Sequence, residues 1–192
     1  MSQTDKPLLS DRFESALVYA TQLHAKQIRK GSGIPYISHL LSVTALVLED
    51  GGNEEQAIAA LLHDAIEDRG GDLTRQAIKA KFGEEVGLIV EGCTETDITP
   101  KPPWRDRKLA CIAKLSQTTP EIRRVMLADK LHNARSILAD LHRYGDDVWQ
   151  RFKEKKAGTL WYFKSIVEAI PEDESSFLAK ELSRVVGELD RF

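Results

Sequence analysis

Apolar residues recur along this chain at helical spacing, and no stretch alternates polar and apolar positions as a half-buried strand would. From Leu9 to Lys26 they fall at Phe13, Leu17, Ala20 and Leu23, with Asp11 and Glu14 spaced as a capping box. Gln27 to Tyr36 interrupts the pattern, because Gly31, Gly33 and Pro35 forbid a continuing helix. A second helix is expected from about Ser38 to Glu49, apolar at Leu40, Leu41, Val43 and Val47 and closed by Gly51-Gly52. Asn53 and Gln56 then cap the densest apolar run, Ala57 to Leu62, which is expected to continue as one helix to Asp68.

Beyond a Gly-Gly turn, helices are expected at Leu73 to Phe82 and Glu84 to Cys93, followed by a Thr- and Pro-rich loop from Thr94 to Pro103. Trp104 to Ser116 reads as helical and opens with Arg105, Arg107 and Lys108. Thr119-Pro120-Glu121 is a helix start: a capping hydroxyl, a proline at the first position and an acid in the first turn. The helix it opens, to about Leu141, has the face Ile122, Val125, Met126, Asp129, Asn133, so two polar groups continue an apolar stripe. Further helical segments lie near Asp146 to Phe152, Leu160 to Ile170 and Glu174 to Phe192. With no repeat or linker, residues 1–192 read as one all-α domain of about eight to ten helices.

Composition narrows the function without naming it. A chain of 192 residues with 42% apolar and 30% charged side chains can bury a full core and is not a disordered tract. A net charge of −3 gives no support for a nucleic-acid coat or a membrane-surface protein. No apolar run approaches the roughly 20 residues of a membrane span, and Met1 to Leu9 has no signal-peptide core. Cys93 and Cys111 are too few for a disulfide framework and read as reduced core residues, so a cytoplasmic protein is expected.

Chemistry concentrates where the central run ends, in His63-Asp64-Ala65-Ile66-Glu67-Asp68. On an unbroken helix His63 would stand above Glu67 and Asp64 above Asp68. Carboxylates crowded at the end of a greasy helix repel one another and lose hydration, so a compensating cation is needed. A divalent metal would serve. So would a plain His63-Asp64 salt bridge with Glu67 and Asp68 in solvent. His39, in the first turn of its helix, and Asp129, on the apolar face of another, each also read as ordinary paired core groups. Together the four supply two imidazoles and two carboxylates, a set suited to Mn²⁺, Fe²⁺ or Zn²⁺ with positions left for water and substrate.

The order His39, His63-Asp64, Asp129 resembles the ligand pattern of the HD-domain metal-dependent phosphohydrolases. Gln27-Ile28-Arg29-Lys30, Gly33-Ile34-Pro35-Tyr36-Ile37-Ser38-His39, Ala60 to Asp68, Phe82-Gly83-Glu84-Glu85-Val86 and Leu127 to Arg135 look like the hydrolase domain of the RelA/SpoT alarmone enzymes. The likeness covers about residues 23–141, with C-terminal helices at 145–192 beyond it. It is similar to the stand-alone small alarmone hydrolases, including metazoan ones. The resemblance implies a single-domain HD fold in which His39, His63, Asp64 and Asp129 bind one Mn²⁺. It implies that Glu67 and Asp68 position and activate the attacking water, that Arg29 stacks on the purine with Lys30 beside it, and that Asn133 contacts the nucleotide. The implied reaction removes the 3′-pyrophosphate from (p)ppGpp or its adenosine counterpart.

Two departures bear on this. Leu40 follows His39 where relatives often carry proline, and Cys93-Thr94-Glu95-Thr96-Asp97 adds acids where many carry a lysine. Arg105, Arg107 and Lys108 suit either phosphate binding or a solvated face. Other readings of the same residues are an HD phosphohydrolase acting on a nucleotide, a deoxynucleoside triphosphate or a cyclic dinucleotide, and a nucleotide sensor without turnover. The presence of both Glu67 and Asp68 with Arg29-Lys30 argues against the first, and the full set of ligands and acids argues against the sensor.

Overall fold

The computed structural model describes residues 8–192, so the polar stretch 1–7 at the head of the expected domain lies outside the described residues. Among the described residues the chain forms ten α-helices and one 3-10 segment. They are α1 (Asp11–Leu23), α2 (Ile37–Glu49), α3 (Glu54–Leu62), α4 (Ala65–Asp68), α5 (Gly71–Phe82), α6 (Glu84–Cys93), α7 (Trp104–Gln117), α8 (Pro120–Tyr144), the 3-10 segment Gly145–Arg151, α9 (Lys155–Glu168) and α10 (Phe177–Leu189). The all-α expectation holds.

α3 is the axle. Every side chain from Ala57 to Leu62 is fully buried, and a helix apolar on all sides belongs inside a layer of others. It touches α1, α2, α6 and α8. Burying Ile58, Leu61 and Leu62 stabilises the fold by about 1.5–3 kcal/mol each, so the end of α3 is held by packing on every side. α8, 25 residues long, lies against α2, α3 and α6 and is covered on another face by α10. That cover is the stripe Leu178, Leu182, Val185, Val186 and Leu189.

Besides the start of α9, which lies at Lys155 and not near Leu160, four expectations change. The central helix does not run to Asp68: α3 stops at Leu62, Asp64 adopts φ −96° and ψ −3°, and the four-residue α4 restarts at Ala65. The cause is local. His63 Nδ1 lies 2.8 Å from the Ala60 carbonyl, the acceptor that a continuing helix would offer to the Asp64 N–H. His63 and Asp64 therefore sit at a junction between two helices, and Asp64 caps the second, its carbonyl accepting the Asp68 N–H at 3.0 Å. At α1 the cap is Ser10, whose Oγ accepts from the Arg12 N–H, and Asp11 is already helical. The 146–152 segment winds as 3-10, and the last helix is shorter than expected because Ser176 caps it late, its Oγ accepting from the Ala179 N–H at 3.3 Å. The bounds of α6 and the Pro120 start of α8 are as read, except that the Thr119 hydroxyl makes no capping hydrogen bond.

Candidate metal centre

Three elements meet at the break. α2 brings His39 in its first turn, the end of α3 brings His63 and then Asp64, and the middle of α8 brings Asp129. His39, His63 and Asp129 are all buried, and one donor atom from each lies within 4.8 Å of the others. His39 Nε2 is 3.3 Å from Asp129 Oδ1 and 3.6 Å from Asp64 Oδ2. His63 Nε2 is 3.0 Å from Asp64 Oδ2 and 3.8 Å from Asp129 Oδ1. All four sequence candidates are thus brought together, with Asp64, partly buried, completing the group.

The protonation of His63 tests whether this donor set fits a cation. A carbonyl can only accept, so His63 Nδ1 carries the proton it donates to Ala60. A neutral ring would then point its Nε2 lone pair at two carboxylates, and that nitrogen is buried without a hydrogen bond. Only a second proton or a cation relieves the clash. With no cation, burial disfavours charge on His63, but Asp64 and Asp129 outweigh it and lift its pKa well above the usual histidine range. Burial likewise opposes charge on Asp64, yet His63 and His39 hold its carboxyl well below the usual range. On Asp129 burial is outweighed first by Lys130. The group is chemically suited to a divalent ion.

A ring of partners fixes these groups. Tyr36 donates its hydroxyl to Asp64 Oδ2 at 2.5 Å, and burial and that carboxylate push its pKa up. Lys130 Nζ sits 2.5 Å from Asp129 Oδ2, while Asn133 donates to Asp129 Oδ1 at 2.5 Å. Asn133 in turn accepts from Arg29 Nη2 at 2.8 Å. His39 Nδ1 lies 2.7 Å from His132 Nδ1. Burial, His39 and Arg29 press the His132 pKa down to about 3, so its ring is neutral.

Arg29 is delivered by the loop between α1 and α2. The Arg29 N–H bonds the Ile34 carbonyl and the Tyr36 N–H bonds the Gln27 carbonyl, closing a tight reversal. Gly31 takes φ +77° in it, and a Cβ there would come within 2.6 Å of Arg151 Cδ, so only glycine fits. Lys30 stands exposed without a partner among the described residues.

Glu67 and Asp68 are held from outside the metal group. Lys101, from the α6–α7 loop, reaches Glu67 Oε1 at 2.6 Å. Asp68 Oδ2 accepts from Gln27 Nε2 at 2.6 Å. Gln27 Oε1 receives Arg69 Nη2 and lies 2.8 Å from His24 Nδ1. Since guanidinium only donates, this amide can face Asp68 only with its NH₂.

The other charges have partners within the fold. Arg107 and Lys108 both bind Glu95, Arg105 lies over the Trp161 ring at 4.3 Å, and Arg135 pairs with Glu181. Asp97 is paired with Arg75. These cations are engaged within the fold, and the acids of the 94–97 segment are neutralised locally. Reading the residues one by one missed His132, Tyr36, Gln27 and Lys101. His132 carried a signal: it stands three residues after Asp129, on the same face of one helix.

The HD domain family matches residues 16–160. A guanosine-3′,5′-bis(diphosphate) 3′-pyrophosphohydrolase of Aquifex aeolicus is 37% identical over 134 residues, 68% of this chain and 18% of that protein. A probable GTP pyrophosphokinase of Mycobacterium leprae is 35% identical over 125 residues, 65% of this chain and 16% of that protein. The chain thus spans less than a fifth of the length of these curated relatives. Among solved structures, a metazoan ortholog of SpoT that hydrolyses ppGpp superposes with TM-score 0.79 at 23% identity, over 95% of this chain and 98% of that one. A Listeria monocytogenes EGD-e protein superposes with TM-score 0.72 at 30% identity, over 80% of this chain and 99% of that one.

Proposed function

The chain belongs to the HD-domain family, and we propose that it is a metal-dependent pyrophosphohydrolase that removes the 3′-pyrophosphate from (p)ppGpp-type alarmones, in guanosine or adenosine form. The observation that carries this is the meeting of His39, His63, Asp64 and Asp129, with Arg29 tied to the same group through Asn133. The names of the bacterial relatives and of the metazoan structure support it. We read residues 1–192 as one hydrolase domain, with the motif core at 23–141 and the helices of 145–192 buttressing α8. No helix among the described residues is long and apolar enough to cross a membrane. Two free thiols suit the cytoplasm.

His39, His63, Asp64 and Asp129 would hold one divalent cation, Mn²⁺ in this proposal. When bound, the cation supplies Lewis-acid stabilisation of charge on the phosphoryl oxygens. Arg29 offers a flat guanidinium to stack on the purine, and Lys30 meets phosphate charge from the open side of the loop. Asn133 contacts the nucleotide between Arg29 and Asp129. Glu67 and Asp68 orient a water and take its proton as it attacks the phosphorus attached to the 3′ oxygen. The P–O3′ bond breaks, the 3′ oxygen gains a proton, and pyrophosphate leaves in one piece. The 5′ phosphates take no part, so di- and triphosphate forms both react.

The test is product analysis by anion exchange after incubation with guanosine and adenosine alarmones and Mn²⁺. Pyrophosphate with an intact nucleoside 5′-di- or triphosphate is the expected pair. Orthophosphate as the first product, or earlier loss of a 5′ phosphate, overturns the proposal.

A further inference from the structure

Both imidazoles of the metal group turn Nε2 inward, and for both the reason lies at Nδ1. A neutral imidazole has one proton, so a ring that presents a bare Nε2 to a cation must carry that proton on Nδ1, where it needs an acceptor. For His63 the acceptor is the Ala60 carbonyl at 2.8 Å. For His39, Nδ1 faces a second ring, His132 Nδ1, at 2.7 Å. The ring centroids are 4.8 Å apart and the planes 44° from parallel. One proton occupies that gap, so one ring donates and the other accepts.

We propose that His132 is a positioning residue for the metal centre: its Nδ1 accepts the Nδ1 proton of His39 and so locks His39 in the tautomer that offers Nε2 to the cation. This rests on the reading of His39 as a metal ligand. Asp129 and His132 are one turn apart on α8, so the same helix supplies a ligand and the acceptor that orients a second ligand. A shift of α8 along its axis would displace both at once. The choice of imidazole has an electrostatic reason. A carboxylate in this place would bring a further negative charge to a buried group that already holds Asp64 and Asp129. A neutral ring orients His39 without it.

The experiment measures Mn²⁺ affinity of the full chain by chelator competition, which needs no substrate. His132→Phe keeps a ring but has no acceptor, and should weaken Mn²⁺ binding roughly 10–100-fold. In His132→Asn the Oδ1 lies near the place of Nδ1 and can accept, so most of the affinity should return. Unchanged affinity in His132→Phe, or equal losses in both variants, overturns the proposal. Wild-type protein provides a second readout free of folding effects. In the Zn²⁺-loaded chain, ¹⁵N spectra of labelled histidine should show His39 protonated at Nδ1 and His132 at Nε2. A proton on His132 Nδ1 in that state also overturns it. His63→Ala separates this idea from its premise: wild-type Mn²⁺ affinity there removes the metal reading itself. Lost affinity there, with none lost in His132→Phe, rejects only the role of His132.

Discussion

Asn133 bonds both Arg29, the arginine proposed to stack on the purine, and Asp129 of the candidate metal group, so its removal tests whether the two act together. Its amide donates to Asp129 Oδ1 at 2.5 Å and accepts from Arg29 Nη2 at 2.8 Å. Both partners are ionised, and a hydrogen bond to a charged group contributes about 1.5–3 kcal/mol. The two losses in Asn133→Ala do not simply add. Arg29 is only half-buried and recovers water, whereas Asp129 is 8% exposed and does not. Asp129 nevertheless keeps Lys130 at 2.5 Å. One such bond is therefore the net loss expected, which corresponds to a fall in kcat/KM of roughly ten- to a hundredfold. The assay is steady-state kinetics at saturating Mn²⁺, repeated in Arg29→Ala and in the double variant. Because the pair shares a bond, the cycle should show a coupling of about 0.5–3 kcal/mol. Additive losses, or kcat/KM within twofold of wild type in Asn133→Ala, would refute the chain from Arg29 to the metal.

Glu67→Gln should leave bound Mn²⁺ unchanged by elemental analysis while kcat falls roughly 10²–10⁴-fold; loss of the metal with normal turnover at saturation would place Glu67 among the ligands. Arg29→Lys should raise KM nearly as much as Arg29→Ala, since ammonium cannot stack on a base; wild-type KM in the lysine variant would leave only a charge effect. Mn²⁺ affinity measured by calorimetry should rise with pH, because the raised pKa of His63 means the ion must displace its second proton; a flat profile across neutrality contradicts that protonation. Arg184 and Arg135 hold Glu181 down to about 2 from 4.5, so this carboxylate stabilises the fold above pH 4.5 and ceases to as pH falls towards 2. Thermal melts of Glu181→Gln should accordingly lose less stability than wild type over that window, and parallel curves would refute it.

The helices were legible because their cause is local and periodic. Pro120 at a helix start and Gly83 between two short helices are decided within a few residues of themselves. The four residues of the candidate metal group each admitted a plain paired reading alone, and became legible only together, in the order His39, His63-Asp64, Asp129 that resembles the HD ligand pattern. What escaped was decided by side chains meeting across the fold. No glycine or proline marks the break after Leu62, because an imidazole bonded to a carbonyl one turn back produces it. Lys101 on Glu67 and Gln27 on Asp68 join positions 34 and 41 residues apart, a pairing no local pattern reveals. The basic cluster at the start of α7 was left open between two readings for the converse reason. Its charges are conspicuous in sequence, yet Glu95 and the Trp161 ring take them up.

The break after α3 also explains how a core helix can end in charge. Were the helix to continue, Asp64 would project from a cylinder buried on every side, with desolvation and no choice of partner. By ending the helix, His63 swings Asp64 to where the Tyr36 hydroxyl and both Nε2 atoms meet it. The same hydrogen bond to Ala60 dictates which His63 nitrogen faces inward. One contact thus sets the backbone path, the tautomer and the charge balance of the group. Conversely, that group cannot relax by turning outward, since the apolar faces of Ile58, Leu61 and Leu62 anchor the helix that carries it. Its charge must be answered in place, by a second proton on His63 or by a cation, and the donor set fits a divalent ion.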